Sequence, residues 1–577
     1  MPSALEFAVA NVRAGTARRV EHLGGLRAWA GIGDAGATQL ADALRTNTSV
    51  EELNLSGNLI RDAGATHLAE ALRANATVSV LNLGNNSIGG AGAAQLADAL
   101  RTNATVEKLH LDSNPIGGVG ATQLADALRT NTAVKELHLH NSSIGVAGAT
   151  QLADALRTNA SMEKLDLDNN SIDAEGATQL ADALRTNATV RALDLGRNSI
   201  GGAGATQLAG ALRTNTSVEK LDLDNNSIDA EGATQLADAL RTNTTVKKLN
   251  LSRNTVGAAG AAQLADALRT NATVEELNLG SNSIGGVGAT QLADALRTNA
   301  TVKELDLDNN AIDAAGVTQL ADALRINTSV ERLRLSRNSI DAAGATQLAD
   351  ALRTNATVKE LSLDRNSIGA VGATQLADAL RANATVTKLD LSRNSMGEAG
   401  VAQLAVALCA NATLRGLEVG GNSIAAVGEG LLRAPRYYQD TKIRELRIQI
   451  DGRLADNQMA HVARRRRWRR RRTLLMCLIA ARSLGGGGVA APLPEDEGKT
   501  EHSGEHGSEG GGAEGSAKKL GLNLIPWDAF LDRYEAERQA GASGEQAAGE
   551  DCATGLAAFL LHRVPDELLC GGIFRFL

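Results

Sequence analysis

One unit of 28 residues recurs along most of the chain without any change of spacing. A clear copy spans residues 190–217, VRALDLGRNSIGGAGATQLAGALRTNTS. The next opens at Val218 and reads VEKLDLDNNSIDAEGATQLADALRTNTT. Letters drift between copies, with Met162 at the opening Val position and Gly210 at the Asp, but the period does not. A strict period of this size restricts the fold to stacked, similar coils, since each copy is one structural unit too thin to bury its own apolar face.

The Asn of the string L-x-L-x-x-N sets the register. It stands at Asn58, Asn86, Asn114, Asn170, Asn198, Asn226, Asn254, Asn282, Asn310, Asn338, Asn366, Asn394 and Asn422. Ser142, beside Asn141, fills the one missing place, which makes fourteen in-phase units. A degenerate half unit precedes them, with Ile32, Gly36 and Leu40 in place but Ala30 where the Asn belongs. After them Leu446, Ile448 and Asp451 keep the L-x-L-x-x-N spacing one residue out of phase.

The L-x-L string alternates, as a short strand with one apolar face does. Ala65, Leu68, Ala69 and Leu72 follow at i, i+3, i+4 and i+7, one face of a helix. Asp173, Asp229, Asp313 and Asp341 suit helix N-caps, and Asn75, Asn103 and Asn187 suit left-handed C-terminal caps. The Asn of the register string sits where the chain leaves the strand, and its amide is expected to bond backbone groups of its own and the neighbouring coil.

Taken together, these residues resemble a leucine-rich repeat protein of the ribonuclease-inhibitor-like subclass, as in NOD-like receptor repeat regions and the Ran GTPase-activating protein. The resemblance covers residues 31–451. It implies an α/β solenoid, a horseshoe with parallel strands on the concave side and helices on the convex side. Strands about 4.8 Å apart would give an inner arc on the order of 65 Å.

The chain then divides as follows. Residues 1–30 form a helical lead-in that caps the first coil, with Trp29 at its end. Residues 31–430 are the array, and 431–484 a C-terminal cap containing an Arg-rich segment. Residues 485–517 are a Gly- and acid-rich flexible linker, and 518–577 a short helical tail, in part disordered. The end of that tail, VPDELLCGGIFRFL, resembles the opening helix of an F-box over about a dozen residues. Aromatic residues are only 2% of the chain, so Leu and Ala must build the core. The net charge of −8 argues against general nucleic-acid binding by the array. Cys409, Cys477, Cys552 and Cys570 are scattered and show no disulfide or zinc spacing. No apolar run is long enough for an export signal or a membrane span. The reading is a cytoplasmic protein, with the nucleus as the alternative, and the many N-x-[ST] triplets read as structure rather than glycan sites.

Variation between copies concentrates at the outward strand positions. His110, His138 and His140 stand there with Asp166, Asp168, Asp194, Asp222, Asp224, Asp306 and Asp308, whose carboxylates make the middle of the concave face acidic. Arg334, Arg337 and Arg365 add positive charge towards the C-terminal limb. These residues are the expected contact set for a protein partner. His110, His138 and His140 with Asp112, Asp166 and Asp168 lie one rung apart, close enough to share a divalent ion. Nothing in the spacing enforces a coordination geometry, so no metal is assigned. Asp166 and Asp168 have the chemistry of an acid–base pair, but an open wet face offers no pocket to tune them, so no catalytic residue is assigned either. GKT at residues 498–500 lacks the first Gly of a phosphate loop, Leu493 standing there, and no cofactor is expected.

The second candidate surface is Arg464, Arg465, Arg466, Arg467, Trp468, Arg469, Arg470, Arg471 and Arg472, which suits a nuclear import factor or an anionic surface. The function expected is a non-enzymatic protein-interaction scaffold. The alternatives are an activator of a small GTPase, a NOD-like-receptor-type sensor module, and a ubiquitin-ligase adaptor acting through the tail.

Overall fold

The computed structural model describes residues 4–16, 18–20, 32–423 and 447–449. The chain divides into two units, Met1–Leu454 and Ala455–Leu577, and all described residues lie in the first. The Arg-rich segment around Trp468, the linker, the tail, Trp29 and most of the expected C-terminal cap lie outside the described residues.

Helix α1 (Ala4–Ala14) and strand β1 (Arg19–Val20) lead into helix α2 (Asp34–Leu44) and strand β2 (Glu52–Asn54). The helix–strand pair then recurs, once per repeat, to the helix Gly397–Ala410 and the strand Gly416–Glu418, before a last strand at Arg447–Gln449. Among the described residues, sixteen strands form one parallel sheet in chain order. This is the α/β solenoid expected from the repeat.

Each coil wraps a small apolar interior. In the copy at 190–217, Leu193 is 1% exposed, and Val190, Leu195, Ile200, Ala205 and Ala209 are fully buried. The strand register sets Leu193 beside Leu165 and Leu221, so each Leu is covered by its two neighbours. Gly204 lets the helices approach: a Cβ there would stand 2.5 Å from the Ile200 side chain and 3.0 Å from Cβ of Ala177. Strands about 4.8 Å apart on one side and helices nearer 8–10 Å apart on the other bend such a stack towards its strands. The strand side is therefore the concave one.

Two ladders of buried asparagine hold the coils together. The first is the register Asn. In Asn254, Nδ2 donates to the carbonyl of Leu223 in the preceding coil at 2.9 Å, and to Leu251 at 2.9 Å and Ser252 at 3.0 Å in its own. Its Oδ1 accepts from the backbone N–H of Asn226 and of Ile228, both at 2.9 Å. The second ladder stands at the helix-to-strand turn and corrects an expectation. Asn75 is not left-handed but extended, with φ −82° and ψ 128°, and Asn103 and Asn187 are likewise absent from the positive-φ residues. The side chain does the capping instead. Asn103 Nδ2 donates to the carbonyls of Leu72 and Asn75 at 2.8 and 3.1 Å, while its Oδ1 accepts from the N–H of Thr105 and Val106 at 3.0 and 2.9 Å. The N-x-[ST] triplets at Asn75, Asn103, Asn187 and Asn271 begin on these buried amides, whereas those at Asn85, Asn141, Asn169 and Asn225 begin on exposed left-handed residues.

Helix starts come in three forms. Asp173, Asp229, Asp313 and Asp341 accept from backbone N–H groups of the first turn, as expected of N-caps. At Gly201 and its left-handed equivalents the backbone takes a positive φ, +64° there, which a β-carbon would oppose although there is room for one. Gly89 is instead extended, and Asp62 of the preceding coil accepts from Gly89 and Gly92 N–H at 2.7 and 2.9 Å.

The two ends differ from expectation. The lead-in is not only helical: β1 pairs with β2, Val20 beside Leu53, so the sheet begins one strand earlier. At the far end Ile448, not Leu446, stands opposite Leu417, so the last strand is shifted by two residues from the place its L-x-L spacing gave it.

Ser142 interrupts the first ladder. Its Oγ reaches the carbonyls of Leu111 and His140 only at 3.4 and 3.3 Å, and Ile116 N–H turns back to Asn114 O at 2.8 Å. Ser142→Asn is expected to raise stability by about 1 kcal/mol by restoring the bridge. Asn254→Ala is expected to cost about 2–4 kcal/mol, since it strands buried groups in two coils. Urea unfolding followed by circular dichroism measures both.

Candidate functional site

Each rung turns three side chains out of the strand side, such as Lys220, Asp222 and Asp224, while Leu221 and Leu223 point inwards. The pairings place the middle ones in a single row: His110, His138, Asp166, Asp194, Asp222, Asn250, Asn278, Asp306 and Arg334. The predicted contact residues of the array thus share one face. The row is tightly flanked: the side chains of Asp166, Asp222 and Asp306 are 14%, 16% and 13% exposed, so their charges are only partly hydrated.

At its N-terminal end the row is a histidine–carboxylate network. The His110 and His138 rings stack, centroids 4.2 Å apart and planes 9° from parallel. His138 Nδ1 lies 3.2 Å and His140 Nδ1 3.4 Å from Asp166 Oδ2, and His140 Nε2 lies 3.5 Å from Asp112 Oδ2. Burial, then the neighbouring His138, lowers the pKa of His110. Burial works against the Asp166 carboxylate, but bonding from His138 and from Asp168 N–H outweighs it and holds the pKa below the ordinary value. Among the described residues, no group of three or more His, Cys, Asp or Glu is arranged to hold a metal ion.

Further along, the carboxylates are less well served. Asp194 accepts one backbone bond, from Gly196 N–H at 3.1 Å, and stands between Asp166 and Asp222. Burial, then Asp222, pushes its pKa up to about 6. Asp308 is likewise pushed up to about 6 by burial and by Asp306, which is itself raised by burial. Asp168, by contrast, is held by both Nε and Nη2 of Arg197. Asp222 accepts from Asn250 at 2.9 Å, and Asp224 from Ser252 at 2.7 Å.

The outward row that opens each strand escaped the sequence reading. It carries both signs and pairs between rungs: Lys108 with Glu136 at 2.7 Å, Lys248 with Glu276 at 2.7 Å, Arg332 with Glu304 at 2.6 Å. The signal was present, since alternating Lys and Glu two residues before the central position would pair across parallel neighbours. The acidic row therefore lies beside one that pairs within itself towards both ends but in the middle carries Lys164 and Lys220 around Ala192, with no ion pair inside the row there among the described residues. A shallow open depression there is lined by Lys220, Asp222, Lys248, Asn250, Asn278, Asp306 and Arg334.

The basic side of the face is also ordered. Arg334 lies 3.6 Å from Glu304 and 3.9 Å from Asp306. Arg337 and Arg365, with Arg393 on the next rung, occupy the position just before the register Asn. All three are left-handed, with φ 55°, 54° and 55°, and exposed.

Comparison with known families matches the leucine-rich repeat at residues 46–69, 74–97, 102–125, 158–181, 186–209, 327–349, 354–377 and 382–405. The TMOD/LMOD leucine-rich domain matches residues 225–316. Among solved structures, similarity is found to leiomodin-1 actin-binding site 2, at 21% identity over 32% of this chain and 89% of that one, with a TM-score of 0.23. It is also found to the yeast Rad7 and Elc1 complex, at 14% identity over 78% of this chain and 94% of that one, with a TM-score of 0.41. No curated protein matches significantly.

The raised carboxyls make a signed prediction. A carboxyl whose pKa is about 6 when folded and about 4 when unfolded keeps its proton longer in the folded state. Stability from Asp194 and Asp308 is therefore greatest below about pH 4 and falls as pH rises to about 6. The double variant Asp194→Asn, Asp308→Asn is expected to flatten this slope, read as the thermal midpoint between pH 4.5 and 7.5.

Proposed function

We propose that this chain, a leucine-rich repeat protein, is a binding scaffold whose concave face holds a protein partner bearing a cluster of basic side chains. One observation carries the reading: Asp166, Asp194 and Asp222 stand on three consecutive rungs, and Asp194 has no cation partner among the described residues. Like charges set side by side and half-desolvated oppose the fold. A partner's Lys or Arg groups laid along the row would relieve that repulsion, and the rigid register would let one row of side chains meet several at once. Beside these three carboxylates the opening row holds Lys164, Ala192 and Lys220, and Lys220 comes no nearer than 3.9 Å to Asp222, so the attraction for a basic partner comes from the carboxylate row alone. Charge complementarity of this kind acts mainly on encounter rate and partner choice.

Binding a cation favours the ionised carboxylate, so partner affinity should rise with pH through about 6 as Asp194 loses its proton. A narrower form of the reading makes the bound partner a small GTPase whose turnover the array stimulates. A turnover assay over a GTPase panel separates the two, since unchanged rates leave the scaffold.

The direct test is affinity capture with the full chain against the variant Asp166→Asn, Asp194→Asn, Asp222→Asn. Asn already occupies this position at Asn54, Asn82, Asn250 and Asn278, where its Oδ1 accepts the same local backbone bond. The variant should fold and lose its principal partner by at least tenfold. Undiminished capture by the folded variant would move the contact away from this row.

A further inference from the structure

The Arg ladder at the C-terminal limb shares its backbone link with the other coils and differs from them in its side chains. Arg337, Arg365 and Arg393 come from three successive coils, at the position that precedes the register Asn. Their backbones repeat one hydrogen bond to the next coil: Arg337 N–H to Asp364 O and Arg365 N–H to Ser392 O at 2.8 Å, Arg393 N–H to Gly420 O at 2.7 Å. The three Cα atoms are therefore locked in line at the rung spacing, about 4.8 Å.

The conformation at this position favours residues other than Arg. A left-handed backbone suits Gly and Asn best, and the same place in other coils holds Gly57, Asn85, Asn141, Asn169, Asn225, Asn309 and Gly421, with Ser113 and Ser281. Two other Arg stand there as well, Arg197 and Arg253. Arg197 grips Asp168 and Arg253 approaches Asp224, each in the preceding coil. The ladder residues lack such a grip. Among the described residues Arg337 and Arg393 make no side-chain hydrogen bond or ion pair, and Arg365 comes only within 3.9 Å of the adjacent Asp364.

From this we infer that Arg337, Arg365 and Arg393 form a carboxylate-binding rack for an extended acidic peptide segment. The inference rests on the reading of this face as a binding surface and adds the chemistry at its other end. Guanidinium forks take carboxylates in two-point contacts, and three on a fixed backbone lose little freedom on binding. Same-side carboxylates of an extended strand recur every 6.6–6.8 Å or so, within reach of side chains as long as Arg. A polynucleotide suits the place less well. It carries a charge at every residue, and would set phosphates against Asp390 and Glu418, which face outwards on neighbouring rungs. A peptide can bring neutral residues over those carboxylates.

Fluorescence anisotropy with a labelled dodecapeptide of alternating Glu and Thr tests the rack. Controls are the same peptide with Lys for Glu, and an oligodeoxythymidine of equal charge. The full chain is expected to bind the Glu peptide in preference to both. The variant Arg337→Asn, Arg365→Asn, Arg393→Asn should bind it at least tenfold more weakly, with a thermal midpoint unchanged or raised because Asn suits the backbone. Should the triple variant misfold, the single Arg365→Asn change is expected to weaken binding about threefold. The pair Arg197→Asn, Arg253→Asn should leave affinity within twofold of the parent. Equal affinity of parent and triple variant for the peptide, oligonucleotide binding that is tighter than the peptide's and is lost in the triple variant, or no binding of the peptide by the parent at low salt would each overturn the inference. The acidic-row variant should still bind the Glu peptide, so a failure of the partner reading shows in capture alone and a failure of the rack in anisotropy alone.

Discussion

The structure depends on an asparagine amide buried between two coils. A polypeptide that turns out of a strand and back into a helix leaves carbonyls and N–H groups pointing into its own interior, where water cannot serve them. An Asn side chain presents a donor group and an acceptor in one plane, and Asn254 uses both, spanning its own coil and the one before. The turn at the other end is closed in the same way by Asn103 and its equivalents. The Leu and Ala interior supplies the drive to stack, but apolar contact is non-directional and would tolerate slippage. The amides are directional, so they fix one register, and that register lines up every outward side chain.

Much of this was legible before any coordinate. Period, strand and helix halves, the burial of Leu193, Leu195 and Ile200, and the Asp caps follow from spacing and residue type. What was not legible has physical causes. Asn75 looked like a left-handed cap because Asn tolerates that conformation; its role is set instead by carbonyls in the preceding coil, which one coil's sequence does not display. The shift at Ile448 could not be read because an apolar residue fits either of two registers when the Asn is gone. The pairing of Lys108 with Glu136 depends on which residues face each other between coils, a relation visible only once copies are laid side by side.

The outward face uses charge in two distinct ways. Where Lys and Glu alternate from rung to rung, the ladder neutralises itself, and the exposed pairs add little to stability. Where the same residue type repeats, as at Asp166, Asp194 and Asp222, register becomes a liability: the bonds that align the coils also hold like charges together. Partial burial sharpens this, and Asp194 responds by holding its proton to about pH 6. The histidine end is calmer, since ring nitrogens of His138 and His140 approach Asp166 while Asp194 next to it has no side-chain partner of this kind among the described residues.

The uniform backbone link between neighbours has a consequence for how such a molecule changes over generations. The strand and register-turn backbone bonds repeat from coil to coil, so a whole coil gained or lost by unequal exchange leaves two compatible surfaces facing each other. Such an event inserted between Asp222 and Arg337 would slide the negative stretch and the Arg rack apart, or together, by one fixed step. The array is in this sense a ruler, and its length between two marks is open to selection separately from the marks themselves.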